Sequence, residues 1–355
     1  MVAGGEGDAG PSVVCAGILV ADLFVPPLPR LPSPGELLLV EDFLLDTGGC
    51  AANTATCLAR LGVRVGVVGK VGNDGFGDFV EQALRQKGVD ISGVKRSTAY
   101  GTSKTVILPV AGADRRFIHT IGANADFTAH DIDRALLATA RVFYLGGYFV
   151  LPQLRQAELA EACCFARAQG AYTVLDVVTP ATGSMASLEG LLEILPHVDV
   201  FMPNEEEAHA LTGETDPRRQ AERFLAAGCG TAIITRGAQG ALLMSSQQII
   251  EAPAPDMATI DQSGAGDAFA AGYITGLLEG WSAAEALSFA GVLGASACTQ
   301  LGCTPGAFTR AQAEAYLESN LPAISIEGKS ARVRSGGSTA PRERLAPESR
   351  RTSGA

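Results

Sequence analysis

Hydrophobic residues along this chain recur with two periods, and the way these alternate predicts most of the architecture. The run SVVCAGILV (12–20) is apolar without interruption and reads as a strand buried on both faces. GGCAANTATCLARLG (48–62) then carries small and apolar residues at helical spacing and closes on a glycine. A short strand, RVGVVGKVG, precedes a helix around FGDFVEQALRQKG. From residue 142 the rhythm becomes regular: strand VFYLGGYF, a helix to Gly170, strand YTVLDVV, a helix, strand VDVFMPN, helix EEEAHALTG, a helix to Gly228, and strand TAIITRG. Buried strands alternating with helices imply right-handed crossovers and a parallel sheet covered on both sides.

Two patches break that rhythm. Residues of about 20–45 are Pro-rich with alternating apolar positions, and 98–121 (TAYGTSKTVILPVAGADRRFIHTI) reads as a hairpin about AGAD. Both predict short antiparallel strands, a small β lid set into the main domain. The expected organisation is an α/β domain over 12–322, with disordered tails at 1–11 and 323–355.

Composition narrows the partners. With 47% hydrophobic and 18% charged residues in 355, there is ample material for a large core. The net charge of −11 argues against nucleic acid or an anionic membrane. Basic residues do gather in the last segment, seven Lys/Arg against three Asp/Glu from Ala323, but without apolar periodicity they read as a solvated tail. The eight cysteines form no C-x-x-C pair and sit mostly in apolar runs, which predicts buried free thiols in a reducing compartment, and neither a zinc site nor a disulfide frame. The N-terminus lacks a basic, then apolar, leader, and the run Val13–Val25 is broken by Asp22 and too short to span a bilayer. A cytoplasmic protein is expected, with no membrane partner.

The candidate chemistry is concentrated in DQSGAGDAFAAG (261–272). A nucleophilic serine elbow needs glycine two residues before Ser263, and that position is Asp261. Dinucleotide binding needs G-x-G-x-x-G after a first strand, and the phosphate loop needs G-x-x-x-x-G-K-[ST]; neither occurs. Gly264, Ala265 and Gly266 would instead present backbone N–H groups at a helix N-terminus, where unpaired donors and the helix dipole favour an anion. Asp267, in the first turn, is then placed to accept a proton from an attacking hydroxyl. The same residues also read as a plain turn followed by a favourable first-turn acid.

DQSGAGDAFAAG resembles the D-T-T-G-A-G-D signature of the ribokinase-like (PfkB) carbohydrate kinases. GGCAANTATCLARLG, GKVGNDGFGDFVEQALRQKGVDISGV, GANADFT, NEEEA and TRGAQGA agree with that family in type and order, over about residues 12–315. The resemblance implies a three-layer α/β sandwich with a mostly parallel sheet and a β lid. It also implies ATP with Mg2+ and direct in-line transfer of the γ-phosphoryl group to a sugar hydroxyl. Asp267 would be the base, and Gly264, Ala265 and Gly266 the anion hole. Asp261 would hold a monovalent cation such as K+. Asn204 and Glu207 would act at the triphosphate and, through water, at the magnesium ion. Thr235, Gly237 and Gly240 would form the nucleotide turn, with about 291–305 as the adenine and ribose wall. Asp22, Gly48, Gly49 and Asn53 would hold the sugar, and the lid edges would pair two copies as a homodimer. Two of these positions have plainer readings, Asn53 as a local helix-start hydrogen bond and Glu205–Glu207 as ordinary first-turn acids.

The chain departs from the pattern at four places. Gln262 stands where a small residue is usual, Cys50 replaces the Lys of G-G-K-G-A-N, and Val20 replaces an Asn before the substrate Asp. Gly146-Gly147 stands about where a ribose-binding Glu is expected. The last three remove pentose contacts and argue against ribose itself, whereas Gln262 bears on the monovalent cation and weakens the expectation of cation dependence. Arg115 and Arg116 on the lid would suit an acidic or phosphorylated substrate, or are solvated hairpin charges. A nucleoside kinase of the same family and a non-catalytic sugar or nucleotide sensor are the alternatives.

Overall fold

Alternate residues of the first apolar run face opposite cores, as a strand buried on both sides requires. Val13 and Cys15 pack into one cluster, Val14 and Ala16 into the other. The computed structural model describes residues 10–110, 116–180, 186–320 and 322–328.

Strand β1 (Val13–Gly17) leads into β2 (Val20–Phe24) and β3 (Leu44–Gly48), followed by helix α1 (Cys50–Arg60). Next come β4 (Val65–Gly72), α2 (Gly75–Gln86), β5 (Asp90–Ser97), β6 (Lys104–Leu108), β7 (Arg116–Thr120) and α3 (Arg134–Thr139). The strand–helix alternation continues through β8 (Val142–Gly146), α4 (Gln156–Ala168), β9 (Tyr172–Leu175) and β10 (Val200–Phe201). After α5 (Glu205–Thr212), α6 (Pro217–Ala226) and β11 (Thr231–Thr235), the chain forms β12 (Ala241–Ser245) and β13 (Gln248–Ala252). Helices α7 (Ala265–Glu279), α8 (Ala283–Ala297) and α9 (Arg310–Ser319) and strand β14 (Ser325–Gly328) complete it.

The large sheet has the order β14-β13-β12-β11-β10-β9-β8-β1-β4-β5. It is parallel from β11 to β5 and antiparallel through β12, β13 and β14. Helices α1, α2, α7, α8 and α9 contribute to the core on one face, and α3, α4, α5 and α6 to that on the other. This is the expected three-layer sandwich. From β1 the chain first builds outward through β4 and β5, then returns to place β8 on the other side of β1. Such a switch of direction opens a crevice at the carboxyl ends of the strands.

The lid is a second sheet of order β3-β2-β6-β7. Its outer pairs are antiparallel as expected, but the central pair, β2 with β6, is parallel. A long excursion through α1, β4, α2 and β5 separates those two strands, so they cannot be joined as a hairpin. Within 20–45 only the two ends form strands, and the tip of the AGAD hairpin lies outside the described residues. The run 12–20 also divides: Gly17 ends β1, and β2 enters the lid at Val20. Asn124 bridges that crossing, accepting from Leu19 N–H (3.2 Å) and donating to Leu19 C=O (3.1 Å).

Two further expectations are corrected. Between β9 and β10 the described residues form 3-10 turns at Leu188–Leu191 and Leu195–His197 in place of an α-helix. Pro196 there lacks the donor that a helix interior needs. The expected tail from 323 begins with β14, which pairs with β13 and is anchored by Arg218 between Glu251 (2.7 Å) and Glu327 (2.8 Å). Residues 1–9 and 329–355 lie outside the described residues. Among those described, no helix is long and apolar enough to cross a membrane.

Candidate active site

The turn before α7 needs glycine for two reasons. Gly264 has φ 73°, and a Cβ there would lie 2.1 Å from the Cys303 carbonyl. No side chain caps this helix. Ala265 N–H turns back weakly to Gln262 C=O (3.3 Å), and Gly266 faces open space. Asp261 shapes the turn from behind. It accepts from Ser263 N–H (3.0 Å), Ser263 Oγ–H (2.8 Å) and Gly302 N–H (3.0 Å), which ties the turn to the segment after α8. Gln262 is exposed at the rim of the cleft.

Asp267 points inward, 9% exposed, and its Oδ2 accepts from Asn53 Nδ2 at 2.8 Å. Burial pushes its pKa up to about 7; the Asn53 and Cys50 hydrogen bonds pull it back, and the charge of Asp22 raises it. Asn53 therefore serves no local helix start, since its amide crosses from α1 to α7. At its start α1 lies against the β1–β2 crossing, where Gly49 has φ 92° and a Cβ would fall 2.4 Å from Ile18 C=O.

Asp22 sits on the lid strand β2, between Asp46 on β3 and Thr105 on β6. Burial raises its pKa to about 6, the Thr105 and Cys303 hydrogen bonds oppose that, and Asp46 adds to it. Lys87 offsets the Asp46 charge at 2.6 Å. Asp22 Oδ1 and Asn53 Oδ1 have no hydrogen-bond partner among the described residues. A Cβ on Gly48 would fall 1.8 Å from Asp22 Oδ2, so the room this glycine leaves is filled by Asp22, where open access for a ligand was expected.

A cleft of ≈ 170 Å³ runs from the α7 turn to the carboxyl ends of β9, β10 and β11. It is lined by Asp267, Gly264, Ala265, Gly266, Cys50, Asp176, Asn204, Glu207 and Thr235 among others. Asn204 and Glu207 form a reciprocal cap on α5: Asn204 Oδ1 accepts from Glu207 N–H (2.8 Å), and Glu207 Oε2 accepts from Asn204 N–H (2.9 Å). The plain reading of the acidic helix start is thus correct, and it coexists with a place in the cleft. Thr235 bridges to Asn204 at the end of β11. Gly237 and Gly240 flank the turn into β12, away from this cleft. Gly291 and Val292 line a second cleft of ≈ 300 Å³ with Pro253, Pro255, Leu287 and Tyr316. Arg116 is exposed on β7, and Arg115 lies outside the described residues.

Sequence reading missed Asp176. It follows β9, where Tyr144 Oη–H donates to its Oδ2 at 3.1 Å. Burial raises its pKa well above the carboxylate range, and Glu207 and Asp267 add to that. Glu207 is itself pushed up to about 7, first by burial, with Asp267 and Glu206 raising it further. The available signal was a lone acid at the carboxyl end of an apolar strand, YTVLDVV. The donor set fits a magnesium nucleotide: an uncapped helix N-terminus suits phosphate oxygens, and a divalent cation would relieve the repulsion among the crowded carboxylates.

The comparisons with known proteins agree. The pfkB family carbohydrate kinase pattern matches residues 11–310, and the chain belongs to that family. It is 28% identical to the ribokinase of Haemophilus influenzae over 296 residues, covering 82% of this chain and 94% of that protein. It is 26% identical to the aminoimidazole riboside kinase of Salmonella typhimurium over 275 residues, 74% of this chain and 85% of the relative. Among solved structures, Arabidopsis thaliana ribokinase complexed with ribose and ATP superposes with a TM-score of 0.74 at 25% identity, covering 87% of this chain and 99% of that one. The chain is therefore a carbohydrate kinase of ribokinase-like fold.

Proposed function

We propose that this kinase transfers the γ-phosphoryl group of ATP in line to a hydroxyl of a sugar or sugar derivative, with Asp267 as general base. The observation that carries the proposal is the placement of one buried carboxylate, with its pKa near 7, in the first turn of an uncapped helix. A base of that pKa is charged often enough to act at neutral pH and still holds a proton well. ATP and its magnesium ion, when bound, supply the phosphoryl group and the charge neutralisation that lets it leave.

The chain's own residues do the rest. The N–H groups of the Gly264–Ala265–Gly266 turn face the phosphoryl oxygens. Glu207, beside Asp176, would hold the magnesium ion through water, and Asn204 would meet the phosphates. Gly237 and Gly240 shape the nucleotide turn with Thr235, and the second cleft, walled by Gly291 and Tyr316, takes the adenine. Asp22 and Asn53 accept from the substrate's hydroxyls; their unpartnered oxygens support this. Asp261 orders the turn and is the residue that would touch a K+ ion. The exposed Phe117 and Ile118 on β7 suit pairing of two lids in a homodimer, and the cytoplasm is the proposed location.

Cys50, Val20 and Gly146-Gly147 replace three pentose contacts expected from the family, so the acceptor is proposed to differ from free ribose. An ADP-release assay over pentoses, hexoses, keto-sugar acids, sugar phosphates and nucleosides tests the assignment. Turnover of at least one of them is expected, and none at all would support a sensor instead.

A further inference from the structure

The side chains of Cys50, Asp176 and Asp267 bring one sulfur and two carboxylate oxygens within 4.8 Å of one another. They come from three different elements and all line the cleft, so an ion has a route in. Each carboxylate is oriented by a donor behind it: Tyr144 Oη–H on Asp176 (3.1 Å) and Asn53 Nδ2–H on Asp267 (2.8 Å). Carboxylates that ligate metals are held in the same way. The amide of Asn53 is 3% exposed and abuts the cluster, and its Oδ1 lacks a partner. Room for the thiol is made at Gly146, where a Cβ would fall 2.6 Å from Cys50 Cβ and 2.7 Å from Tyr144 Oη. Any larger residue there would displace both.

We propose that Cys50, Asp176 and Asp267 form a binding site for a thiophilic divalent cation such as Zn2+, and that its occupation switches the kinase off. A tetrahedral zinc ion sits about 2.3 Å from sulfur and about 2.0–2.2 Å from oxygen, which spaces ligand atoms roughly 3.5 Å apart. The three donors therefore close by about 1 Å around the ion, and water completes the tetrahedron. On binding, the Cys50 S–H bond breaks and an S–Zn bond forms, and the thiol proton leaves to solvent together with any proton held by the Asp176 and Asp267 carboxyl groups. Magnesium does not compete for the sulfur, because it is a hard ion that selects oxygen and water. Inhibition follows because zinc takes up the carboxylate of Asp267. That consequence rests on Asp267 being the base, whereas the binding itself does not.

The two are separated by two readouts on the full-length protein. Cd2+, a thiolate-seeking stand-in, is titrated in while the sulfur-to-cadmium charge-transfer absorbance is followed. A Cys164→Ser background removes the exposed thiol. A saturable band is expected, lost in Cys50→Ser and weakened about tenfold or more in Asp176→Asn. In parallel, Zn2+ is titrated into a kinase assay at excess magnesium and ATP, each variant being compared with its own metal-free rate. Cys50→Ser is expected to raise the inhibiting zinc concentration by about tenfold or more. Should Cys50→Ser fold poorly, alkylation of the wild-type chain, read by peptide mass spectrometry, answers the same question: zinc should protect Cys50. A band that survives in Cys50→Ser, or equal labelling of Cys50 with and without zinc, overturns the site. A band without inhibition leaves the site standing and overturns the role of Asp267.

Discussion

Among the helix N-termini at the cleft, those of α5 and α7 treat their spare donors in opposite ways. Helix α5 closes on itself through the reciprocal Asn204–Glu207 cap, as α8 does through Ser282 and Glu285. Helix α7 starts from a left-handed glycine and no side chain caps it. Such capping satisfies donors and is typically worth about 1 kcal/mol, so α7 forgoes stability at the place proposed to hold an anion. Both helices carry an acid in the first turn. In α5 that acid has a structural partner, whereas in α7 it is buried and held by another helix. An acid near a helix start thus says little until its partner is known.

The strongest way to break this comparison is at Asp267. Asp267→Asn is expected to lower kcat by roughly 10²–10⁴ while the Kd for ATP changes little, since only proton acceptance is lost. Near-normal turnover would remove Asp267 from the role of base. The same variant has a signature in stability. Asp267 has a pKa of about 7 in the fold against 3.8 for the free side chain. Between these values the folded chain holds a proton that the unfolded chain has released, so stability falls as pH rises through that window. The stabilisation by Asn should therefore be absent near pH 4 and greatest above pH 7, as melting temperatures across pH will show.

Glu207→Gln separates the two jobs of the α5 acid. Glutamine can still close the cap, so the melting temperature should not fall, and above pH 7 it should rise, because the folded-state pKa of Glu207 is also raised to about 7. With the charge gone, the magnesium needed for half-maximal rate should rise about tenfold. An unchanged magnesium requirement would leave Glu207 as a cap alone.

Asn53→Ala removes a hydrogen bond to the charged form of Asp267. A bond of that kind is worth about 1.5–3 kcal/mol, and about 1.4 kcal/mol is one pH unit. The rising limb of the pH–rate profile, expected through about 7, should move upward by roughly one to two units. A limb that stays in place would show that Asn53 does not act on the base.

The smallest effect is expected at Asn204→Ala. Loss of the cap should cost about 1 kcal/mol, read from chemical denaturation. A rise in KM for ATP on top of that would show that Asn204 also meets the phosphates.

Much of this molecule was legible in one dimension. The periodicity from Val142 to Gly237 determined the run of parallel strands, because burial on both faces demands unbroken apolar stretches. The spacing in DQSGAGDAFAAG determined that its glycines precede a helix and that Asp267 lies in the first turn, since local backbone constraints depend on neighbours in sequence. Only the tertiary structure decided who those acids face. Asn53 and Asp267 are 214 positions apart and meet because α1 packs beside α7. Asp176 looked like the end of a strand until the fold set it beside Cys50 and Asp267. The parallel pairing of β2 with β6, and the strand β14 within an expected tail, depend on partners that no local pattern encodes. Periodicity and turn chemistry are short-range properties of the chain, while the charge, burial and pKa of a side chain are set by groups that only folding brings near.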